Sequence, residues 1–188
     1  MTSLLLEPVW TAAAQARLYR AVLAAHAFPG EVVDCRAWLG GRPAAVGVLA
    51  ALADGAVTLA DLHGLLDPRD LGLIAAAMAP VSAAAFVVAS GATAPSEDLR
   101  LEKGEILAPE RGATLILVCQ AVGEGALRLA LSGPGIDGSA RLAVAGLDPA
   151  WMALRATHNR RPPLGIDLVL CDGARVAALP RTTAVEVL

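Results

Sequence analysis

The sequence predicts an α/β fold with a mixed β-sheet, and three observations carry that prediction. Amphipathic helical stretches alternate with short apolar, β-branched runs along the whole chain. Thr114–Cys119 (TLILVC) is a continuous apolar run, the pattern of a strand covered on both faces. Ile166–Cys171 and Ala174–Leu179 flank Asp172-Gly173, a strand–turn–strand pattern that only an antiparallel pair satisfies. With 188 residues, the chain reads as one domain spanning 1–188.

The elements follow in order. Thr11 caps a helix running to about Ala27, where Pro29-Gly30 stops it. Its apolar stripe is Ala14, Leu18, Ala21, Val22 and Ala25. Glu31–Ala37 reads as a strand, Pro43–Asp54 as an apolar helix closed by Gly55, and Val57–Ala60 as a strand. Asp67-Pro68 is a cap followed by proline at the first helical position, opening a helix to about Ala79. Ala84–Ala89 reads as a buried strand, and Ser96-Glu97-Asp98 as the start of a short helix ending near Gly104. Leu127–Leu131 and Arg141–Val144 are strands flanking a glycine-rich loop at 132–138. Asp148-Pro149 opens a helix to about His158. In the final hairpin, an Asp172-Gly173 turn pairs Cys171 with Ala174 and sets Asp167 opposite Ala178.

Composition excludes several functions. The apolar fraction is 56% and the charged fraction 18%, so the chain fills a core and is not globally disordered. A net charge of −3 leaves no basic footprint for nucleic acid, and 3% aromatics leave few stacking platforms. Cys35, Cys119 and Cys171 form no C-x-x-C, and His26, His63 and His158 have no metal-ligand spacing; no metal site is expected. Leu71–Ser96 carries no formal charge, but Pro80 interrupts it and alanine dominates it, which favours a buried helix and strand over a membrane span. Met1-Thr2-Ser3-Leu4 has no basic n-region. A cytoplasmic protein is expected.

Four groups of residues are candidates for chemistry. Gly133-Pro134-Gly135-Ile136 is either a tight turn or a loop offering N–H groups to a phosphate, without the strand–glycine–helix context of a nucleotide cradle. Asp167 alternates against Ile166 and Leu168 and so faces the other side of a covered strand, where a carboxylate needs a partner. Arg181, just past the adjacent strand, is that partner in a structural ion pair, or it serves with Thr182 and Thr183 as an anion or substrate contact. Arg160-Arg161 is a second cationic pair in a proline-rich loop. The single lysine, Lys103, sits in a polar segment unsuited to a buried Schiff base. No catalytic residue stands out.

Leu131-Ser132-Gly133-Pro134-Gly135-Ile136, Pro163–Leu170 (PLGIDLVL) and Leu179-Pro180-Arg181-Thr182-Thr183 closely resemble the PhnH family, subunits of the bacterial carbon–phosphorus lyase system for phosphonate use. Ala108–Leu117 (APERGATLIL) is similar to that family's P-E-x-x-A-T-L stretch. Tyr19-Arg20 with Pro29-Gly30, and Leu52-Ala53-Asp54, look like its upstream elements. The family's F-H-T-type motif is replaced here by the alanine-rich 73–85 run, and Pro162 stands where an aromatic usually precedes P-L-G.

The resemblance implies a three-layer αβα fold like that of pyridoxal-phosphate-dependent transferases, without the cofactor. It implies a required, non-catalytic subunit working with PhnG-, PhnI- and PhnJ-type partners. In that system a phosphonate displaces adenine from the ribose of MgATP before C–P cleavage. It also implies a homodimer in isolation, in line with the apolar composition. The alternative is a free-standing binding protein or enzyme for small phosphates or phosphonates on a transferase-like fold.

Overall fold

The computed structural model describes residues 7–188; the amino-terminal residues read above for a targeting signal lie outside the described residues. The Thr11 hydroxyl accepts the Ala14 N–H and caps α1 (Ala12–Ala27), whose buried residues are the five of the expected stripe. β1 (Val33–Asp34) is much shorter than the strand expected over Glu31–Ala37. The Asp34 carboxylate accepts the Arg36 N–H at 2.8 Å and turns the chain into the one-turn helix α2 (Arg36–Leu39). α3 (Ala44–Leu52) and β2 (Thr58–Asp61) lie where expected.

α4 (Pro68–Ile74) opens on Asp67 as expected but ends five residues early. Ala75 takes φ +59, and the chain then pairs β3 (Ala77–Met78) with β2, because Ala77 and Ala79 donate to Val57 and Leu59 carbonyls. The expected helix after Ser96 does not form. Leu101 N–H goes to the His158 ring and Ala113 N–H to the Glu102 carbonyl, so this stretch is held by distant partners.

β4 (Phe86–Ser90) and β5 (Thr114–Val118) follow. β6 (Ala121–Ser132) is far longer than expected and shifts register between Val122 and Leu127 against β7 (Ala140–Ala145). Gly123 and Gly125 lie inside the strand; a Cβ on Gly125 would stand 2.1 Å from Val144 carbonyl carbon. α5 (Ala150–His158), β8 (Asp167–Cys171), β9 (Arg175–Leu179) and β10 (Ala184–Val187) complete the chain. The hairpin register differs from expectation by two residues. Cys171 pairs with Val176, and Gly173-Ala174 rather than Asp172-Gly173 form the turn. Asp172 is held back because its carboxylate accepts the Val122 N–H from β6.

The main sheet has the order β1-β9-β8-β5-β4-β2-β3, with β8, β5, β4, β2 and β3 parallel and the β8–β9–β1 edge antiparallel. A second sheet, β10-β6-β7, is antiparallel. Alternate residues of the central strands enter separate cores. Val88, Ile116 and Val169 pack with α1 and α3. Val87, Leu115 and Leu168 pack with Leu129, Val144 and Trp151 of the second sheet and α5. The second face is therefore covered mainly by a sheet, not by helices alone.

Gly72, inside α4, has nothing within 4 Å of where a Cβ would sit. Gly72→Ala is expected to stabilise the protein by about 0.5–1 kcal/mol, since alanine lowers only the unfolded chain's entropy there. Denaturant melts of the variant check this.

Candidate functional site

Asp167 opens β8, and the two-residue register shift sets it beside the Pro180-Arg181 step rather than opposite Ala178. The expected pair forms. Arg181 Nη2 donates to Asp167 Oδ2 at 2.7 Å, Nε reaches the same oxygen at 3.2 Å, and Arg181 N–H donates to Oδ1 at 2.6 Å. Nη1 donates to the Pro109 carbonyl at 2.6 Å. That contact ties the guanidinium to a 3₁₀ turn at Pro109–Arg111, within the family-like APERGATLIL stretch. The slot exists because Gly112 lacks a side chain; a Cβ there would stand 2.2 Å from Gly165 oxygen and 2.9 Å from Arg181 Nη1.

Thr182 and Thr183 do not converge. Thr182 is exposed, whereas Thr183 is buried and its carbonyl accepts Arg155 Nη2 at 2.8 Å. Arg155 was not singled out from the sequence, although it sits one turn from Trp151 on the buried face of α5. It is 4% exposed, donates also to the Pro180 carbonyl at 2.6 Å, and feels the Asp167 charge. Burial pulls its pKa down to about 10 against that attraction. His158, on the same face, accepts the Leu101 N–H at Nε2 and faces the Leu154 carbonyl with Nδ1, so the neutral Nδ1–H tautomer satisfies both. Arg160 and Arg161 are exposed.

The glycine-rich loop packs against its own chain. A Cβ on Gly135 would meet Ala27 oxygen at 2.1 Å and one on Gly133 would meet Thr182 oxygen at 3.0 Å. Its glycines permit close backbone approach, and the turn is closed by Ile136 N–H on the Gly133 carbonyl. Lys103 is exposed.

The Asp167–Arg181 cluster lies at the amino ends of the parallel strands. Open α/β sheets place ligands at the opposite, carboxyl ends. There a cleft of about 390 Å³ is lined by Arg36, Gln120, Asp172 and Arg175 with the hairpin turn. Asp172 is the anchor of that end. Burial raises its pKa, but N–H bonds from Ala174, Arg175 and Val122 and the Arg175 guanidinium outweigh burial and leave it lowered. The unfolded carboxylate, near its ordinary value of about 3.9, takes up protons first as pH falls. Asp172 therefore stabilises the fold above that value and loses this contribution as pH drops through the lower folded pKa. Asp172→Asn is expected to flatten the acid limb of the stability–pH curve below about pH 4, measured by denaturant titration. No group of three or more His, Cys, Asp or Glu among the described residues could hold a metal ion.

The order of motifs along this fold matches one class of proteins. Residues 8–186 match the profile of the family described as bacterial phosphonate metabolism protein (PhnH), and the chain belongs to that family. Among its relatives is "Putative C-P lyase subunit protein HtxG" of Stutzerimonas stutzeri, 39% identical over 178 residues, covering 95% of this chain and 89% of that protein. A second, "Alpha-D-ribose 1-methylphosphonate 5-triphosphate synthase subunit PhnH" of Rhizobium meliloti (strain 1021), is 30% identical over 201 aligned positions, covering 92% and 98%.

Proposed function

We propose that this chain is the PhnH-type subunit of a carbon–phosphorus lyase system, required for phosphonate use and not itself the catalyst. The match across nearly the whole chain, from residue 8 to 186, carries the reading. Within the system it supports transfer of a phosphonate onto the ribose of ATP with loss of adenine, the step that the name of the Rhizobium meliloti relative describes by its product. The way the candidate residues are used supports a non-catalytic role. Asp167 and Arg181 are committed to one another, and Arg181 and Arg155 to backbone carbonyls.

Several finer points belong to the same reading. PhnG-, PhnI- and PhnJ-type subunits are the partners, and the isolated chain pairs with a second copy. The protein is cytoplasmic; no described helix is long and apolar enough to cross a membrane. The transferase-like relationship is part of the same reading, with the second sheet and α5 in place of one of the two helical layers of the expected αβα arrangement. It binds no pyridoxal phosphate, since its single lysine stands on the surface. Any anion contact at the sequence-chosen site uses the exposed edge of Arg181 with the Thr182 hydroxyl, while Asp167 and Thr183 support it from behind.

Growth tests this reading. A strain lacking the gene is expected to grow on inorganic phosphate and to fail on methylphosphonate as sole phosphorus source, with growth restored by this chain. Unimpaired growth of the deletion strain on methylphosphonate contradicts it, and turnover of a phosphonate by the isolated chain contradicts the non-catalytic role.

A further inference from the structure

We propose that the cleft between residues 95–100 and α5 binds an organophosphonate monoanion, its hydrocarbon group against α5 and its head on Arg100 and Glu97. That the head is phosphorus-based rests in part on the reading above; that the cleft takes an apolar group rests on its geometry. The cleft measures about 330 Å³, with Pro95 and Leu99 on one wall and Ala150, Ala153 and Leu154 on the other. Sites for small molecules are of this size and mostly apolar, with a few polar groups that fix orientation.

Two tethers hold the cleft in shape. Trp151 Nε1 donates to the Thr93 carbonyl at 2.9 Å, and Leu101 N–H donates to His158 Nε2 at 3.3 Å. Trp151 and His158 stand about two turns apart on the same face of α5. Between the tethers, residues 96–100 bond among themselves: Leu99 N–H goes to the Ser96 carbonyl and Asp98 N–H to the Ser96 hydroxyl. The segment thus spans a helix surface on which Ala150 and Ala153 are small. Larger side chains there would fill the space, and apolar walls without a neighbour forfeit dispersion contacts. A cleft formed before its ligand arrives loses little freedom on binding.

Arg100 and Glu97 supply the contacts to the head, and both line the cleft. Arg100 Nη1 donates to the Glu97 carbonyl at 2.9 Å and to the Leu99 carbonyl at 3.1 Å. These bonds fix the guanidinium and leave Nε and Nη2 for an anion. His158, the titratable group that α5 adds to the lining, has both ring nitrogens engaged. A cation beside a carboxylate discriminates between oxyanions. A ligand carboxylate gains from Arg100 but is repelled by Glu97. A phosphonate monoanion places its charge-sharing oxygens on Arg100 and donates its remaining O–H to Glu97. Phosphorus oxyanions keep that proton up to about pH 6, whereas carboxylates have lost theirs by about pH 4. The pair therefore selects phosphonate over carboxylate, and the apolar walls select a hydrocarbon substituent larger than methyl.

A nuclear magnetic resonance titration of the isotope-labelled full chain at about pH 6, where the phosphonate keeps one proton, tests the proposal with phenylphosphonate as the probe. Shifts confined to residues 95–101, α5 and the Trp151 indole are expected. Methylphosphonate and benzoate are each expected to bind about tenfold more weakly, since one lacks the apolar group and the other the donated proton. Ala153→Met and Arg100→Gln, both at exposed positions, are each expected to weaken phenylphosphonate about tenfold with unchanged circular dichroism. Glu97→Gln is expected to narrow the preference for phenylphosphonate over benzoate. Absence of shifts with phenylphosphonate, or shifts placed elsewhere, overturns the site. Benzoate binding to the wild type as tightly as phenylphosphonate overturns the head-group assignment and the proposal with it. Shifts of the same residues on adding a partner subunit, with none from phenylphosphonate, assign the cleft to that subunit and also overturn it. The deletion strain reads the subunit role separately. Its growth on methylphosphonate removes that role, whereas a silent titration with the growth defect intact removes this site alone.

Discussion

Asp167→Ala is expected to destabilise the protein by about 3 kcal/mol, the cost of leaving a largely buried cation without its anion. Arg181 loses its ion-pair partner, and Arg155 loses a nearby compensating charge. Arg181 has 17% of its side chain exposed and Arg155 is 4% exposed, so water replaces little of what the carboxylate supplied. The Arg181 main-chain N–H also loses its acceptor at 2.6 Å. For a protein of this length each kcal/mol moves the melting temperature by about 2–4 °C, so a fall of roughly 10 °C is expected. Asp167→Asn keeps an acceptor for the main-chain N–H and is expected to lose less. Equal melting temperatures for wild type and Asp167→Ala contradict the clamp described above.

Gly112→Ala is expected to cost about 3 kcal/mol, at the upper end of overpacking effects. The added methyl would meet Gly165 oxygen, a backbone atom that cannot rotate away, at 2.2 Å. It would also press on both terminal nitrogens of Arg181, at 2.9 and 3.0 Å. The two changes act on one cluster, so the double variant is expected to lose less than the sum of the single losses. Additive losses in a double-mutant cycle contradict the view that Gly112 serves the arginine slot.

Much of this was legible in the sequence, for identifiable reasons. The α1 stripe, the TLILVC strand and the α5 boundaries follow from local periodicity and caps, which act within a few residues. The Asp167–Arg181 pair was legible because an acid in an apolar strand demands a partner and the neighbouring strand offered one. What escaped depends on contacts distant in sequence. Asp172 looked like a turn residue, but its carboxylate is taken by Val122, fifty positions away. β3 exists because β2 offers a free edge, which no local pattern announces. The first half of β6 was hidden by Gly123 and Gly125, needed there for close approach to β7 and the β1 region. Arg155 escaped because an arginine on a helix usually reads as solvated. Its place one turn after Trp151 was the available signal.

The central claim is that this chain is a required, non-catalytic part of the machinery that joins a phosphonate to the ribose of ATP. The most direct measurement combines the purified partner subunits with methylphosphonate and MgATP, with and without this chain, and follows adenine release and the phosphorus resonance of the ribose product. The account predicts product only when this chain is present, none from this chain alone, and normal yield with an Arg181→Lys chain that folds and co-purifies. Full product formation without this chain, or adenine release by this chain alone, would contradict it.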